Sequence, residues 1–287
     1  MAGMEVLFKM LGETITTGCS NPPDSALYPP RDWVILEKVS EHPVSIPAED
    51  CALGMGPPYT AGKYLCRLAG AGNEKELAFI RIYKQIPSAG TALDNSSVRK
   101  AQASEEPGHT ELKALKHLTE GKYTATPELL GYRFGKQDAY DLVHGGYIVY
   151  LLWKKVEGDS LDLEEFWRLP YNRRQSIRDK FKTTYMEVLG FGYRPRMELS
   201  SKIILNKSTD DVYVLHYSLY SIPCNITLMT RIKISGFRWA RRIDPVTEWE
   251  DEYFAVYSLV LAIPWHVRYL YGLANDPHLD ESTGWWW

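Results

Sequence analysis

The chain has 287 residues, of which 45% are hydrophobic, 13% aromatic and 24% charged. That composition excludes a disordered chain, a collagen-like repeat and a disulfide scaffold. Its 33 basic and 36 acidic residues leave a formal net charge of -3. With its cations dispersed, it lacks the electrostatic footprint of a protein that grips nucleic acid or an anionic membrane, so neither is expected as a partner.

The longest apolar stretch, residues 147–153, falls well short of the ~18 residues a membrane span requires. Near the N-terminus, the apolar piece 6–11 is interrupted by Lys9 and is too short for a signal-peptide core. A cytoplasmic location is the expectation. The cysteines, Cys19, Cys51, Cys66 and Cys224, show no Cys-x-x-Cys spacing and no close histidine, which predicts free thiols rather than a zinc site.

In chain order, residues 1–32 read as a tail or packed-on arm, because Asn21, Pro22, Pro23, Pro29 and Pro30 punctuate them with turn and extended signals. Residues 33–156 form a β-rich half. Short runs of β-branched and aromatic residues predict strands over 33–36, 64–68, 77–83, 129–134 and 147–156. Residues 87–109, rich in Ser, Ala, Gly and Glu, predict an exposed loop. Leucines at 112, 115 and 118 then share one face of a helix ending near Gly121.

The second half, 157–287, is mainly helical. Helices are predicted over 160–169 and 173–189, the second capped by Asn172. Short strands follow over 203–205, 212–220, 226–229 and 232–234. A closing helical segment over 249–272 is kinked or split at Pro264. The expected class is α+β with two lobes.

Several pieces carry a resemblance: Ala78-Phe79-Ile80-Arg81-Ile82-Tyr83-Lys84-Gln85-Ile86-Pro87, the helix around Glu111, Thr126-Pro127-Glu128-Leu129-Leu130-Gly131-Tyr132, Gly146-Tyr147-Ile148-Val149-Tyr150, and Val156-Glu157-Gly158-Asp159-Ser160-Leu161. Their order over residues 33–272 resembles the kinase-like fold, in particular fungal kinase-like proteins related to aminoglycoside phosphotransferases. The resemblance implies a two-lobed protein-kinase-like fold, with a β-rich N-lobe over 33–156 and a short, mainly helical C-lobe over 157–287.

It also implies a set of site positions. The family's strand lysine falls at Arg81, with Lys84 on the opposite strand face as a possible substitute, and its helix glutamate at Glu111. An Arg81–Glu111 ion pair is the expectation, and two solvated charges the alternative. Gly54 and Gly56 stand for the glycine-rich loop, but Pro57 and Pro58 remove two N–H donors from it. Glu198 falls at the catalytic aspartate and Ile203 at the magnesium-binding asparagine. The metal-binding aspartate falls at His216 if 212–215 is the preceding strand, or within Gly236-Phe237-Arg238-Trp239 if 231–234 is. Neither choice supplies a carboxylate for magnesium.

The expectation is therefore a degenerate kinase-like protein that binds a small molecule or a protein partner rather than transferring phosphate; ATP and magnesium are disfavoured, and no metal site is expected. One alternative is a repurposed enzyme acting on a small-molecule metabolite in the kinase-like cleft, with Glu198 or His216 as acid or base. Another is a small-molecule phosphotransferase whose motifs align differently around 212–234. The indoles of Trp153, Trp167, Trp239, Trp249 and Trp265 either line an apolar pocket or pack in the core. Trp285-Trp286-Trp287 is expected to dock on the domain, cover a groove or meet a partner.

Overall fold

The computed structural model describes residues 6–7, 9–18, 24–206, 232–264, 266, 276–280 and 282–287. The protein is a mixed α and β structure that divides into two compact units, residues 1–119 with 128–155, and residues 120–127 with 156–287.

The first unit is built on one antiparallel sheet. Its strands are β1 (Thr14–Thr17), β2 (Arg31–Val44), β3 (Tyr59–Leu68), β4 (Leu77–Gln85), β5 (Leu129–Lys136) and β6 (Tyr147–Lys154), in the order β1-β2-β3-β4-β6-β5. Alternation along β4 decides what each face does. Ala78, Ile80 and Ile82 join Trp33, Ile35, Tyr64, Cys66 and Leu152 in a core cluster; Arg81 and Tyr83, one residue out of phase, point to the other face. Burial among these apolar neighbours pushes the Cys66 thiol up to about 12.

β2 is much longer than its apolar start at 33–36 predicts. Register shifts at Ile35/Glu37 and Lys38/Ser40 interrupt the pairing of its polar second half with β3, where the buried Glu41 carboxylate is satisfied by Lys38, Thr60 and the Val6 amide. Helix α1 (Asp24–Leu27) lies between β1 and β2, and α2 (Ala48–Ala52) lies in the β2–β3 connection. The stretch 87–109 is not wholly loop, because α3 (Ser96–Ala101) forms within it. Asn95 Oδ1 caps that helix by accepting from the Val98 amide at 3.0 Å. Helix α4 (Thr110–Glu120) buries Leu112, Ala114, Leu115 and Leu118, and with them the carboxylate of Glu111.

The second unit contains β7 (Asp159–Ser160), α5 (Leu163–Arg168), α6 (Tyr171–Gly190), β8 (Tyr193–Arg194), β9 (Ile203–Leu205), β10 (Ile232–Ile234), β11 (Arg241–Arg242), α7 (Glu252–Val256), β12 (Leu261–Ala262), β13 (Leu279–Asp280) and β14 (Trp285–Trp286). Asp162 caps α5 by accepting from the Glu165 amide at 2.9 Å. Asn172 does not cap α6: Pro170 occupies that position, and the Asn172 side chain accepts only from the adjacent Arg173 amide. Phe181 and Tyr185 of α6 pack with Phe254 and Tyr257 in an aromatic core.

The closing helix expected over 249–272 is mostly absent from the described residues. Before Pro264 only α7 is helical; Ser258 then takes φ 59° and the chain enters β12, and beyond Pro264 the described residue His266 is helical. The cause is long-range pairing. β14 sits between β12 and β13, so the tryptophan-rich segment supplies the middle strand of a small sheet. The strands expected over 212–220 and 226–229 lie outside the described residues. Among the described residues no helix is long and apolar enough to cross a membrane.

Candidate functional site

The chemistry of the first unit gathers where β4 faces α4. One guanidinium nitrogen of Arg81, Nη1, donates to both carboxylate oxygens of Glu111 at 2.6 Å, and the Tyr83 hydroxyl donates to Glu111 Oε2 at 2.7 Å. Strand periodicity puts Arg81 and Tyr83 on the same face, and Glu111 in the first turn of α4 meets both. Glu111 and Arg81 are both largely withdrawn from solvent, with side-chain exposures of 4% and 14%. Burial works against the Arg81 charge, but Glu111 and Tyr83 outweigh it and raise its affinity for the proton. Burial, and then the Glu111 charge, hold the Tyr83 phenol well above its usual range.

Around this pair lies an aromatic wall. His109 stacks on Tyr83 with ring centroids 3.8 Å apart, and Tyr59 and Tyr147 approach the same imidazole at 5.5 and 5.8 Å. Tyr83 lies in the resembling strand and His109 at the end of the expected loop, but neither is among the site residues that the sequence predicts. Lys84 lies on the opposite face of β4, as alternation requires, and pairs with Asp141 rather than with Glu111.

Gly54 and Gly56 follow α2 with φ of 89° and 83°. The Gly54 amide donates to Cys51 O and the Met55 amide to Asp50 O, so two N–H groups of the loop already close the helix end. Leu53 and Met55 are exposed there.

In the second unit, Glu198 is half-buried and accepts from Arg194 Nε at 2.8 Å. His216 lies outside the described residues. β9 and β10 form an antiparallel pair in which Ile203 stands opposite Ile234. Gly236 follows β10 with φ 96° and leads into a turn over Phe237–Trp239. Ile203 is fully buried and offers no oxygen donor. Asp244, Glu250, Asp251 and Glu252 are exposed. Among the described residues no group of three or more His, Cys, Asp or Glu side chains is arranged to hold a metal ion.

A cavity of about 370 Å³ opens beside β7 and α5. Asp159, Asp162 and Glu165 line it with Arg173, against apolar walls from Phe166, Ile177 and Leu205. Of the tryptophans, Trp153 is buried in the first unit, Trp239 is exposed, and Trp249 packs on Phe254 with centroids 4.7 Å apart; Trp265 lies outside the described residues.

No protein-family model matches the chain, and no curated protein matches it. Among solved structures, the chain is similar to WaaP in complex with acyl carrier protein, at 13% identity and a TM-score of 0.38, over 77% of this chain and 70% of that one. It is also similar to the bifunctional kinase-methyltransferase WbdD, at 13% identity and a TM-score of 0.38, over 94% of this chain and 51% of that one. These are distant kinase-like neighbours, and no substrate follows from them.

Proposed function

We propose that the chain is a kinase-like protein, of the kind related to fungal kinase-like proteins and aminoglycoside phosphotransferases, whose site binds a ligand without transferring phosphate. The observation that carries this reading is the antiparallel pairing of β9 with β10. It pairs 203–205 with 232–234, which favours the alignment that puts the Gly236-Phe237-Arg238-Trp239 stretch rather than His216 at the family's metal-binding aspartate, with Arg238 before Trp239 where the family often has Asp-Trp. On that alignment Ile203 and the cationic Arg238 fall at the two metal positions. Neither side chain has an oxygen, whereas magnesium demands hard oxygen ligands in near-octahedral array. The residues do not fit the ion.

The Arg81–Glu111 pair supports the same reading. The strand-to-helix ion pair is kept, but a planar guanidinium does not reproduce a lysine's point contact to phosphate. The cavity beside Asp159 favours a small molecule as ligand over a protein partner, since concave sites of this size hold small molecules.

The test is thermal stability with ATP and magnesium titrated to saturation, followed by turnover. A ligand that binds only the native state must raise the melting temperature. No magnesium-dependent shift and no turnover is the expected result. Magnesium-dependent ATP turnover that Glu198→Ala abolishes would overturn the proposal in favour of a working phosphotransferase.

A further inference from the structure

Helix α6 carries two arginines on its buried side. Arg174 is 4% exposed and Arg178 is fully buried, one helical turn apart. Four residues of the same stripe, Ile177, Phe181, Tyr185 and Val188, are core residues, so both guanidinium groups are held inside rather than reaching for solvent. Among the described residues neither makes an ion pair. Arg178 donates from Nε to Leu259 O at 2.8 Å and from Nη1 to Gln175 Oε1 at 3.3 Å. Arg178 Nη2 and Arg174 Nε and Nη1 are buried without a hydrogen-bond partner.

The surroundings are aromatic. Trp167 and Trp286 stack with centroids 5.2 Å apart, and the Arg174 guanidinium lies 4.8 Å from each ring. Arg178 lies 5.9 Å from Trp167, 5.9 Å from Tyr171 and 5.6 Å from Trp287. Ring quadrupoles attract a cation but give its N–H groups no acceptor, and two like charges one turn apart repel. Burial first, and then the Arg174 charge, push Arg178 down to about 10, an effect that Tyr171 and Asp179 offset only in part. A buried charge needs a counter-charge, and this pair feels only the carboxylate fields of Asp276 on Arg174 and Asp179 on Arg178, neither of them in an ion pair with it.

We propose that Arg174 and Arg178 form an anion site that takes a phosphate group, roofed by Trp286. A tetrahedral oxyanion matches the donors better than a planar carboxylate does. Three unmet nitrogens on two guanidinium forks are joined by a fourth, Trp286 Nε1, which is also buried without a partner. Tyr171, 38% exposed and 5.9 Å from both cations, gives the site a flank on solvent. The site is independent of the positions that the kinase-like reading uses, so it stands or falls separately.

The experiment titrates the whole chain with inorganic phosphate and, in a second arm, with phenyl phosphate. Ionic strength is held constant with sodium chloride, and melting temperature and tryptophan fluorescence are read. A saturable rise on the order of 2–5 °C with a parallel change in indole emission is expected, with the tighter arm telling whether the site prefers a free phosphate or a monoester. Arg174→Met and Arg178→Met should each abolish it. Arg174→Lys, which keeps the charge but loses the fork, should bind at least about tenfold more weakly. Neither arm giving a saturable response in the wild-type chain overturns the proposal, whatever the variants do. So does an unchanged response in folded Arg174→Met, or undiminished affinity in Arg174→Lys.

Discussion

Arg81 and Glu111 meet through a single guanidinium nitrogen, Nη1, which stands 2.6 Å from both carboxylate oxygens. The arrangement leaves the Glu111 carboxylate room for a third donor, and the Tyr83 hydroxyl takes it at 2.7 Å. Two side chains of one strand thus satisfy one buried carboxylate on the helix, and the pair works as a clamp between β4 and α4.

Breaking that clamp from one side should cost more than removing it. Glu111→Gln leaves the Arg81 cation buried without its counter-charge, and a loss of about 3–5 kcal/mol is expected in urea unfolding. The double variant Arg81→Met, Glu111→Leu should lose less than the two single variants summed, because it leaves no orphaned charge. Additive losses would show that the two residues act separately.

Gly158 is a second point of tension, set by backbone rather than charge. Its φ is 111°, and a Cβ there would lie 2.3 Å from Leu205 O, in the backbone of the strand that pairs with Asp159. Gly158→Ala should therefore cost at least ~2 kcal/mol and weaken hydrogen-exchange protection over β7 and β9. Gly54→Ala is the control: it also has positive φ, but open space surrounds its Cβ, and a loss of only ~1 kcal/mol is expected. Equal losses at both positions would remove the close approach as the cause.

Much of the first unit was legible because its signals are local. Alternation of Ala78, Ile80 and Ile82 against Arg81 and Tyr83 marks β4 and assigns its faces, and the spacing of Leu112, Leu115 and Leu118 marks α4. The Arg81–Glu111 contact needed the resemblance as well, since opposite charges 30 residues apart do not announce a pair. The second unit was less legible because its order comes from distant partners. Ala262 pairs with Trp285 across the sheet, and nothing local to residues 249–272 signals that a strand 20 residues further on interrupts their helical pattern. Arg174 and Arg178 were missed for a related reason. They sit in the buried stripe of Ile177, Phe181, Tyr185 and Val188, but arginine is ordinarily read as solvent-facing.

Asp24 gives a pH-dependent test of how the N-terminal segment is tied down. Its carboxylate accepts from Lys116 Nζ at 2.7 Å and from the Tyr132 hydroxyl, joining α1 to α4 and β5. The Lys116 hydrogen bond first, and then Tyr132, hold its carboxyl below the usual aspartate range, against a small opposing effect of burial. A carboxyl whose proton affinity falls on folding contributes stability above its unfolded value, ~3.9, and loses that contribution as pH falls through its lower, folded value. Because both partners are partly exposed, at 30% and 24%, the effect is about 0.5–1 kcal/mol rather than that of a sealed pair. At pH 7, Asp24→Asn should melt roughly 1–4 °C below the wild-type chain. The gap should narrow as pH falls below about 4, when the wild-type carboxyl also becomes neutral. A gap that stays constant from pH 7 to pH 2.5 would mean that the carboxylate's charge contributes nothing and that the Asn variant fails for reasons of shape.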